Sequence, residues 1–421
     1  MNIIKKKSIF DNCIFIIILL MLSLNFSGCQ IAPPVPEEAK WTIMVYMAAG
    51  NELESVGIQD INEMEVIGST TDINIVVQMD RISFDALDNY GYGYLDDVSN
   101  SNWTGTRRYY ITQDINPEII KSRLIMDLGE KNMGDPETLK DFTQWVIQNY
   151  PAQRYMLILW NHGGGFRSLE EARDICWDYN FSTNNKITMP QLEDALAFTS
   201  GQLGGKIDIL GMDACYMGMV EVAYQVKDYA QILIASEASV PGDGWQYDDI
   251  LQELVINPNQ LSRNFAVQIV DSYNKQYSAA GSNITLSAID LSKMDELAAR
   301  ISGLAQGVIN DLTVPKKNYR DARNNSQHYT GVGFEYIDLV DFVTQLPDYT
   351  SNSTVLSYAN QINQLMEVGN IIISNTYSGN SVEGSNGLTI YFPYYSYDIN
   401  YNNSNFAQEK LWDEMLLHLD Y

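Results

Sequence analysis

Histidine is nearly absent from this chain, with three in 421 residues, at positions 162, 328 and 418, beside 27 tyrosines. Any chemistry that needs an imidazole has only these three to draw on. Basic residues are also few, 26 against 53 acids, which gives a formal net charge of −27. Nucleic-acid binding rests on basic patches that displace counterions from phosphates, so that class is excluded. Neutral or basic partners fit instead, including cationic peptides drawn in by the field. Cysteine occurs four times, at 13, 29, 176 and 215, too few for a disulfide-stapled scaffold. Long apolar runs are missing as well; beyond Ile14 to Leu24 no stretch approaches the 18 residues or so of a membrane span. Charged residues make up 19% and hydrophobic ones 45%, so the chain can bury a large core and is not generically disordered. At about 150 residues per domain, its length allows two or three.

What is present begins with an export signal. Lys5, Lys6 and Lys7 form a basic n-region, Ile14 to Leu24 an apolar h-region, and Ser27 and Gly28 precede Cys29. Phe26-Ser27-Gly28-Cys29 resembles a bacterial lipobox, in which the cysteine is diacylated and becomes the new N-terminus, although Phe26 stands where leucine is usual. Residues 1–28 are therefore read as a lipoprotein-type signal peptide, Cys29 as the lipidation site, and residues 29–40, rich in proline and glutamate, as a stiff tether. The expected location is the bacterial cell envelope, with secretion as the alternative should Cys29 stay free. The body is expected to meet the membrane through its lipid only and to be a monomer. With Cys13 and Cys29 set aside, Cys176 and Cys215 either form one bridge or leave at least one thiol free for chemistry.

Apolar runs and helical spacing alternate through the body. Strands are predicted at 41–49, 72–79, 155–160, 207–212 and 231–235, and helices at 51–67, 136–149, 190–198 and 217–226. Pro136 suits a first helical turn. Residues 90–110, rich in Gly, Tyr and Asn, read as a hairpin excursion. Strand–helix alternation with continuously apolar strands predicts a parallel sheet covered on both faces. Helical pattern dominates from Asp248 to about Leu365, broken by a strand-like 283–291, and a late strand at 387–392 precedes a closing helix. No linker interrupts the middle, so a C-terminal part, 248–421, should pack on a core of residues 41–247.

His162 falls just past the end of one apolar strand and Cys215 just past the end of another. In open α/β sheets the ligand crevice lies outside the carboxyl ends of the strands, so both side chains should face one cleft. A cysteine becomes an effective nucleophile near neutral pH when a nearby imidazole supports its ionisation. Gly163, Gly164 and Gly165 let backbone approach a substrate closely, and the N–H groups of Gly163 and Cys215 are the natural donors to an oxyanion. Histidines and strand-end cysteines also serve structure alone, so spacing by itself leaves a catalytic pair and a structural pair both open. His328, in a polar stretch, and His418, near the C-terminus, read as surface residues. Cys176 precedes Trp177-Asp178, a stretch able to line the cleft, and reads as structural.

The wording of these segments carries more. N-H-G-G-G from Asn161 and D-A-C-Y-M-G-M-V-E-V-A-Y from Asp213 resemble the clostripain family of cysteine peptidases, in the clan of caspases, gingipains and legumain. Further matches are W-T-I-M-V-Y-M-A-A from Trp41, T-R-R-Y-Y-I-T around Arg107, N-M-G-D-P-E-T-L from Asn132 and A-S-E at 235–237. P-G-D-G-W from Pro241, T-L-S-A-I-D-L-S-K-M from Thr285 and N-G-L-T-I-Y-F-P from Asn386 continue them, so the resemblance covers about residues 41 to 415. Gly50 is a departure, where the family often has aspartate.

The resemblance implies an α/β fold, a caspase-like α/β/α sandwich with a mostly parallel central sheet and a largely helical C-terminal part packed on it. It implies a cysteine endopeptidase with His162 and Cys215 as its dyad: His162 assists protonation of the leaving amine, and Cys215 forms the thioester acyl-enzyme. Family members are known for cutting after arginine or lysine with acids at the floor of the S1 pocket. Their pattern places Asp213 and Asp243 there, with Glu237 a weaker third candidate. The residues alone read Asp213 also as an N-cap of the following helix and Asp243 as a turn residue. Some relatives cut themselves between the histidine and the cysteine; here Arg167, Arg173 and Lys186 are the candidate points, and an uncut surface loop is the alternative. No cofactor is required. Calcium stimulates some relatives, yet no D-x-D-x-D-G spacing locates a calcium site here. The rival functions are a non-catalytic surface protein that kept the peptide cleft, and a transpeptidase whose thioester is resolved by an amine.

Overall fold

The computed structural model describes residues 38–166, 174–182, 184–329 and 335–421. In chain order the strands are β1 (Ala39–Met47), β2 (Ile73–Arg81), β3 (Gly105–Tyr110), β4 (Arg123–Gly129), β5 (Ala152–Trp160), β6 (Ile207–Asp213), β7 (Ala230–Ala235), β8 (Ile284–Asp290), β9 (Tyr336–Asp338), β10 (Ile372–Ser378) and β11 (Thr389–Tyr391). Nine of them form one sheet in the order β10-β8-β7-β6-β5-β1-β2-β3-β4. The five central strands, from β7 to β2, are parallel, and the pairs flanking them on either side are antiparallel. β9 and β11 pair antiparallel in a separate two-stranded sheet.

The central strands are apolar on both faces because both faces are covered. Ile43 and Val45 of β1 join Ile75, Ile158 and Ile209 in one core, beneath α1 (Glu54–Ile67). Met44 and Tyr46, one residue out of phase, join Leu157 and Leu210 in the other. This period of two splits each strand between two cores. Between β2 and β3 lies the short α2 (Phe84–Asn89). The second core is closed by α3 (Pro136–Asn149), α4 (Met189–Leu203) and α5 (Val220–Val226), with Phe142, Leu192 and Val222 pointing in. The first core is completed by α6 (Tyr247–Ile256) and α7 (Ser262–Tyr277) through Leu254, Phe265 and Ile269. Each such side chain, fully buried, contributes roughly 1.5–3 kcal/mol. At the start of α3 Pro136 occupies the first turn, and the Asp135 carboxylate accepts the Glu137 N–H at 3.0 Å.

The sequence reading of residues 90–110 as a hairpin is corrected. Residues 105–110 are β3, which pairs with β2 in the main sheet, and its hairpin partner is β4. The excursion itself, about residues 83–102, consists of α2 and short turns and is clamped at its base by Arg81. The Arg81 guanidinium donates to Glu54 Oε1 at 2.5 Å, to the Ser99 carbonyl at 3.3 Å and to the Asp97 carbonyl. β4 escaped notice because it is an outermost strand whose side chains stay largely exposed, so its apolar alternation is weak. The first strand begins at Ala39, so the last residues of the expected tether already belong to the sheet. The C-terminal residues supply sheet as well as helix: β8 and β10 extend the same sheet that holds β1. Among the described residues no helix is long and apolar enough to cross a membrane.

Candidate active site

β5 and β6 are neighbours in register, with Trp160 opposite Asp213, so the residues that follow them emerge side by side. His162 and Cys215 both line a cavity of about 240 Å³, together with Leu53, Asp213, Val240 and Gly244. Two buried asparagines shape the loops around it. Asn161 donates to the carbonyls of Ala48 and Trp177 and accepts the Trp177 N–H at 2.9 Å. Asn51 donates to the same two carbonyls at 3.1 and 2.8 Å. Gly163 has no side chain for a physical reason: a Cβ there would collide with the Cys215 carbonyl oxygen and come within 2.9 Å of the Ala214 methyl. The loops that carry imidazole and thiol therefore touch backbone to backbone.

The Cys215 sulfur accepts the Val240 N–H at 3.3 Å. Burial pushes its thiol pKa up and the Asp213 charge adds to this, against the Val240 bond, with a net upward shift. Such a cysteine rests as the thiol and needs a base to ionise. His162 is half-buried, and its Nε2 lies 2.9 Å from Glu52 Oε1. Burial pushes the Glu52 carboxyl up, but the hydrogen bond and charge of His162 outweigh it and the net shift is downward. Glu52 is thus held as a carboxylate. With Nε2 committed to it, Nδ1 is the nitrogen left for proton transfer in the cleft. Sequence reasoning missed Glu52. Its signal was position: like His162 and Cys215, it follows the carboxyl end of a central strand, and that strand neighbours β5.

Asp213 is buried and accepts the Trp245 N–H at 3.1 Å and the Tyr247 hydroxyl at 3.0 Å. Burial outweighs both bonds and pushes its pKa up to about 7. It does not cap the following helix, since α5 starts only at Val220. Gly244 (φ +54°) closes over it; a Cβ there would lie 2.9 Å from Asp213 Oδ2. Asp243 stands exposed between Gly242 and Gly244, which line the cavity. Two further acids that sequence reasoning missed sit one turn apart on α1. Asp60 accepts the Trp160 indole N–H at 2.6 Å, and Glu63 accepts the Tyr247 N–H at 3.0 Å. Burial, then repulsion from neighbouring acids that include Asp213 and Asp243, pushes Asp60 well above the usual range. Glu63 goes up to about 7 for the same reasons, against its Tyr247 bond. Their signal was two acids at i, i+3 on a helix face otherwise made of Gly57, Ile61 and Met64.

Other candidates lie elsewhere. Glu237 is buried and accepts the Gly387 N–H at 2.9 Å, beside Asp338 of β9, and it does not line the cavity. Cys176 is a buried free thiol. Lys186 Nζ lies 4.4 Å from the centre of the Trp177 ring and 4.0 Å from Asp174 Oδ2. Arg167, Arg173 and Cys29 fall outside the described residues. His328 and His418 are half-exposed and line no part of the cavity. Among the described residues one group has the spacing of metal ligands: oxygens of Asp80, Glu130 and Asp178 lie within 4.8 Å of one another. Asp80 accepts from Thr106 and Asn180, and Asp178 from the N–H groups of Met133 and Asn180.

Known proteins resemble this chain in sequence and in fold. The chain is 28% identical over 407 residues to clostripain from Hathewaya histolytica, across 84% of this chain and 74% of that protein. A secreted C11 cysteine protease from Bacteroides thetaiotaomicron, solved in complex with an irreversible peptide inhibitor, superposes with a TM-score of 0.65. It is 20% identical, over 91% of this chain and 99% of its own. An inactive zymogen C11 protease from Parabacteroides distasonis gives the same TM-score at 19% identity, over 89% and 99%. At those identities the two structures share the fold, a mostly parallel sheet between helices of caspase-like type. A thiol and an imidazole over the strand ends of such a sheet, in a chain with these relatives, belong to a cysteine peptidase. Within that class the chain belongs to the clostripain family, whose profile matches residues 45–420.

Proposed function

We propose that this peptidase cleaves after arginine or lysine, with Cys215 as nucleophile and His162 as proton carrier. What carries the reading is the shared cavity, which has a thiol and an imidazole at its rim and the buried Asp213 in its wall. In the reaction the thiol gives its proton to the imidazole, and sulfur attacks the scissile carbonyl carbon. The N–H groups of Gly163 and Cys215 hold the resulting oxyanion. The C–N bond then breaks as the imidazolium protonates the departing nitrogen, leaving a thioester that water hydrolyses. Asp213, with Glu63 and Asp60 behind it and Asp243 at the rim, forms the acidic wall against which a guanidinium or ammonium ionises its partner and is held.

We extend the reading to an exported, lipid-anchored enzyme, on the strength of the lysine-rich start, the apolar run and Cys29. The Bacteroides relative described as secreted agrees with export. Self-cleavage between His162 and Cys215, at Arg167, Arg173 or Lys186, belongs to the same proposal; a single N-terminus after prolonged incubation would exclude it. The test of the function is hydrolysis of a short fluorogenic peptide ending in arginine. Wild type turns it over, and Cys215→Ala and His162→Ala lower the rate by at least about 10²-fold each. Undiminished turnover in Cys215→Ala would overturn the reading.

A further inference from the structure

Along the sheet, the loops at the strand ends follow the strand order. The Val240–Gly244 loop follows β7, Cys215 follows β6, His162 follows β5, Glu52 follows β1, and the 83–102 excursion follows β2. Cys215 must meet the scissile carbonyl and His162 the departing nitrogen. A peptide crossing this edge therefore places its arginine side toward β7 and its leaving side toward β1 and β2.

On that leaving side stand tyrosines with no part in the chemistry. Tyr90 is exposed, and its ring centre lies 5.5 Å from that of Tyr179. Tyr179 is fixed to the catalytic loops: its N–H donates to the Gly50 carbonyl at 2.8 Å, two residues from Glu52. Its phenol lies within charge reach of Glu52, Tyr92 and Tyr90. The excursion that carries Tyr90 and Tyr92 is held against the same loop, because Arg81 ties the Asp97 and Ser99 carbonyls to Glu54. The Asp97 N–H also donates to Glu54 Oε2 at 3.3 Å. The tyrosine shelf is therefore built onto the catalytic edge rather than hung from a separate loop. Rigid aromatics left at a protein surface in this way are what peptide-binding surfaces use, since they bury much area at little entropic cost.

We propose that Tyr90, Tyr92 and Tyr179 form a leaving-side subsite that selects apolar or aromatic residues beyond the scissile bond. The inference rests on the cleavage reading above. From β6 to β2 there are three strand spacings of about 4.8 Å, and an extended peptide covers them in roughly four residues at about 3.3 Å each. The shelf should therefore read about the third and fourth residues after the cut.

The test uses quenched peptides with one arginine, carrying either Phe-Leu or Gly-Ser at the third and fourth positions after it. An arginyl coumarin amide, which has no residue beyond the bond, supplies the reference rate for each enzyme. Wild type should prefer the Phe-Leu peptide by about tenfold in kcat/KM, the discrimination expected of one or two apolar contacts. Tyr90→Ala, alone and with Tyr92→Ala, should bring the ratio of the two peptides close to one, while the coumarin rate of each variant reports whether its catalytic centre is intact. An equal ratio in wild type, or a preference that survives in both variants, would overturn the subsite. Failure of wild type to cleave the coumarin amide would instead overturn the cleavage reading itself.

Discussion

Glu52 does for His162 what neither residue does alone. A carboxylate 2.9 Å from Nε2 fixes which ring nitrogen is committed and how the ring lies. It does not line the cavity, so its loss should act on the proton-transfer step. Glu52→Gln should lower kcat for an arginyl peptide by about 10- to 10²-fold, the lower part of what a placed acid–base group contributes, with KM little changed. A parallel rise in KM, or no fall in kcat, would remove Glu52 from this role. Asp213 supports a prediction of pH dependence. Burial holds its pKa near 7, and that of Glu63 as well, so both acids protonate as the pH falls through neutrality. A neutral carboxyl offers a guanidinium no charge. The KM for arginyl peptides should therefore rise as the pH drops from about 8 to 6, and a peptide with a neutral residue before the cut should lack that limb. Asp213→Asn should cost about 30-fold or more in kcat/KM for arginyl peptides, the loss expected when one partner of a buried charge pair is removed. In the free enzyme the sign for stability is opposite to the usual carboxylate case. Groups held protonated by the fold contribute stability below their unfolded pKa of about 4, and that contribution is lost as the pH rises through about 7.

The excursion between β2 and β3 is a separate element whose base is anchored through the Arg81–Glu54 pair. Arg81 is fully buried, with Glu54 equally buried beside it, and it reaches two carbonyls of the excursion. Removing the cation leaves a buried carboxylate with its charge unpaired. Arg81→Met should destabilise the fold by about 3–5 kcal/mol in denaturant titration. Hydrogen exchange should rise first at residues 95–99, ahead of β2 and β3. Uniform exchange across the sheet would contradict the clamp. The elements that the sequence revealed are those with an unambiguous pattern: the central strands, with their long apolar runs, and α3 with its proline and cap. Those it hid have weak periods for a reason. β4 lies at the sheet edge with both faces wet, and β10, I-I-S-N-T-Y-S, is a polar outer strand. The cleft was legible in the same way. His162 and Cys215 announce themselves by following apolar strands and by their glycine-rich and family wording. Glu52, Asp60 and Glu63 act through contacts between segments, and a single residue's type and spacing cannot state which segments will meet.

In the whole molecule, strand order brings the site together: β5 and β6 lie side by side, so an imidazole and a thiol from distant parts of the chain share one cleft. The body also contains a second free thiol, Cys176, which is buried and pushed well up in pKa by that burial. The two cysteines form an internal control, because only one of them should be reactive. The most direct measurement is to treat the purified protein with a peptidyl ketone inactivator ending in arginine and to map the adduct by mass spectrometry. One adduct per chain on Cys215, none on Cys176, and a much slower reaction in His162→Ala is the predicted result. An adduct on Cys176, or inactivation with Cys215 unmodified, would contradict it.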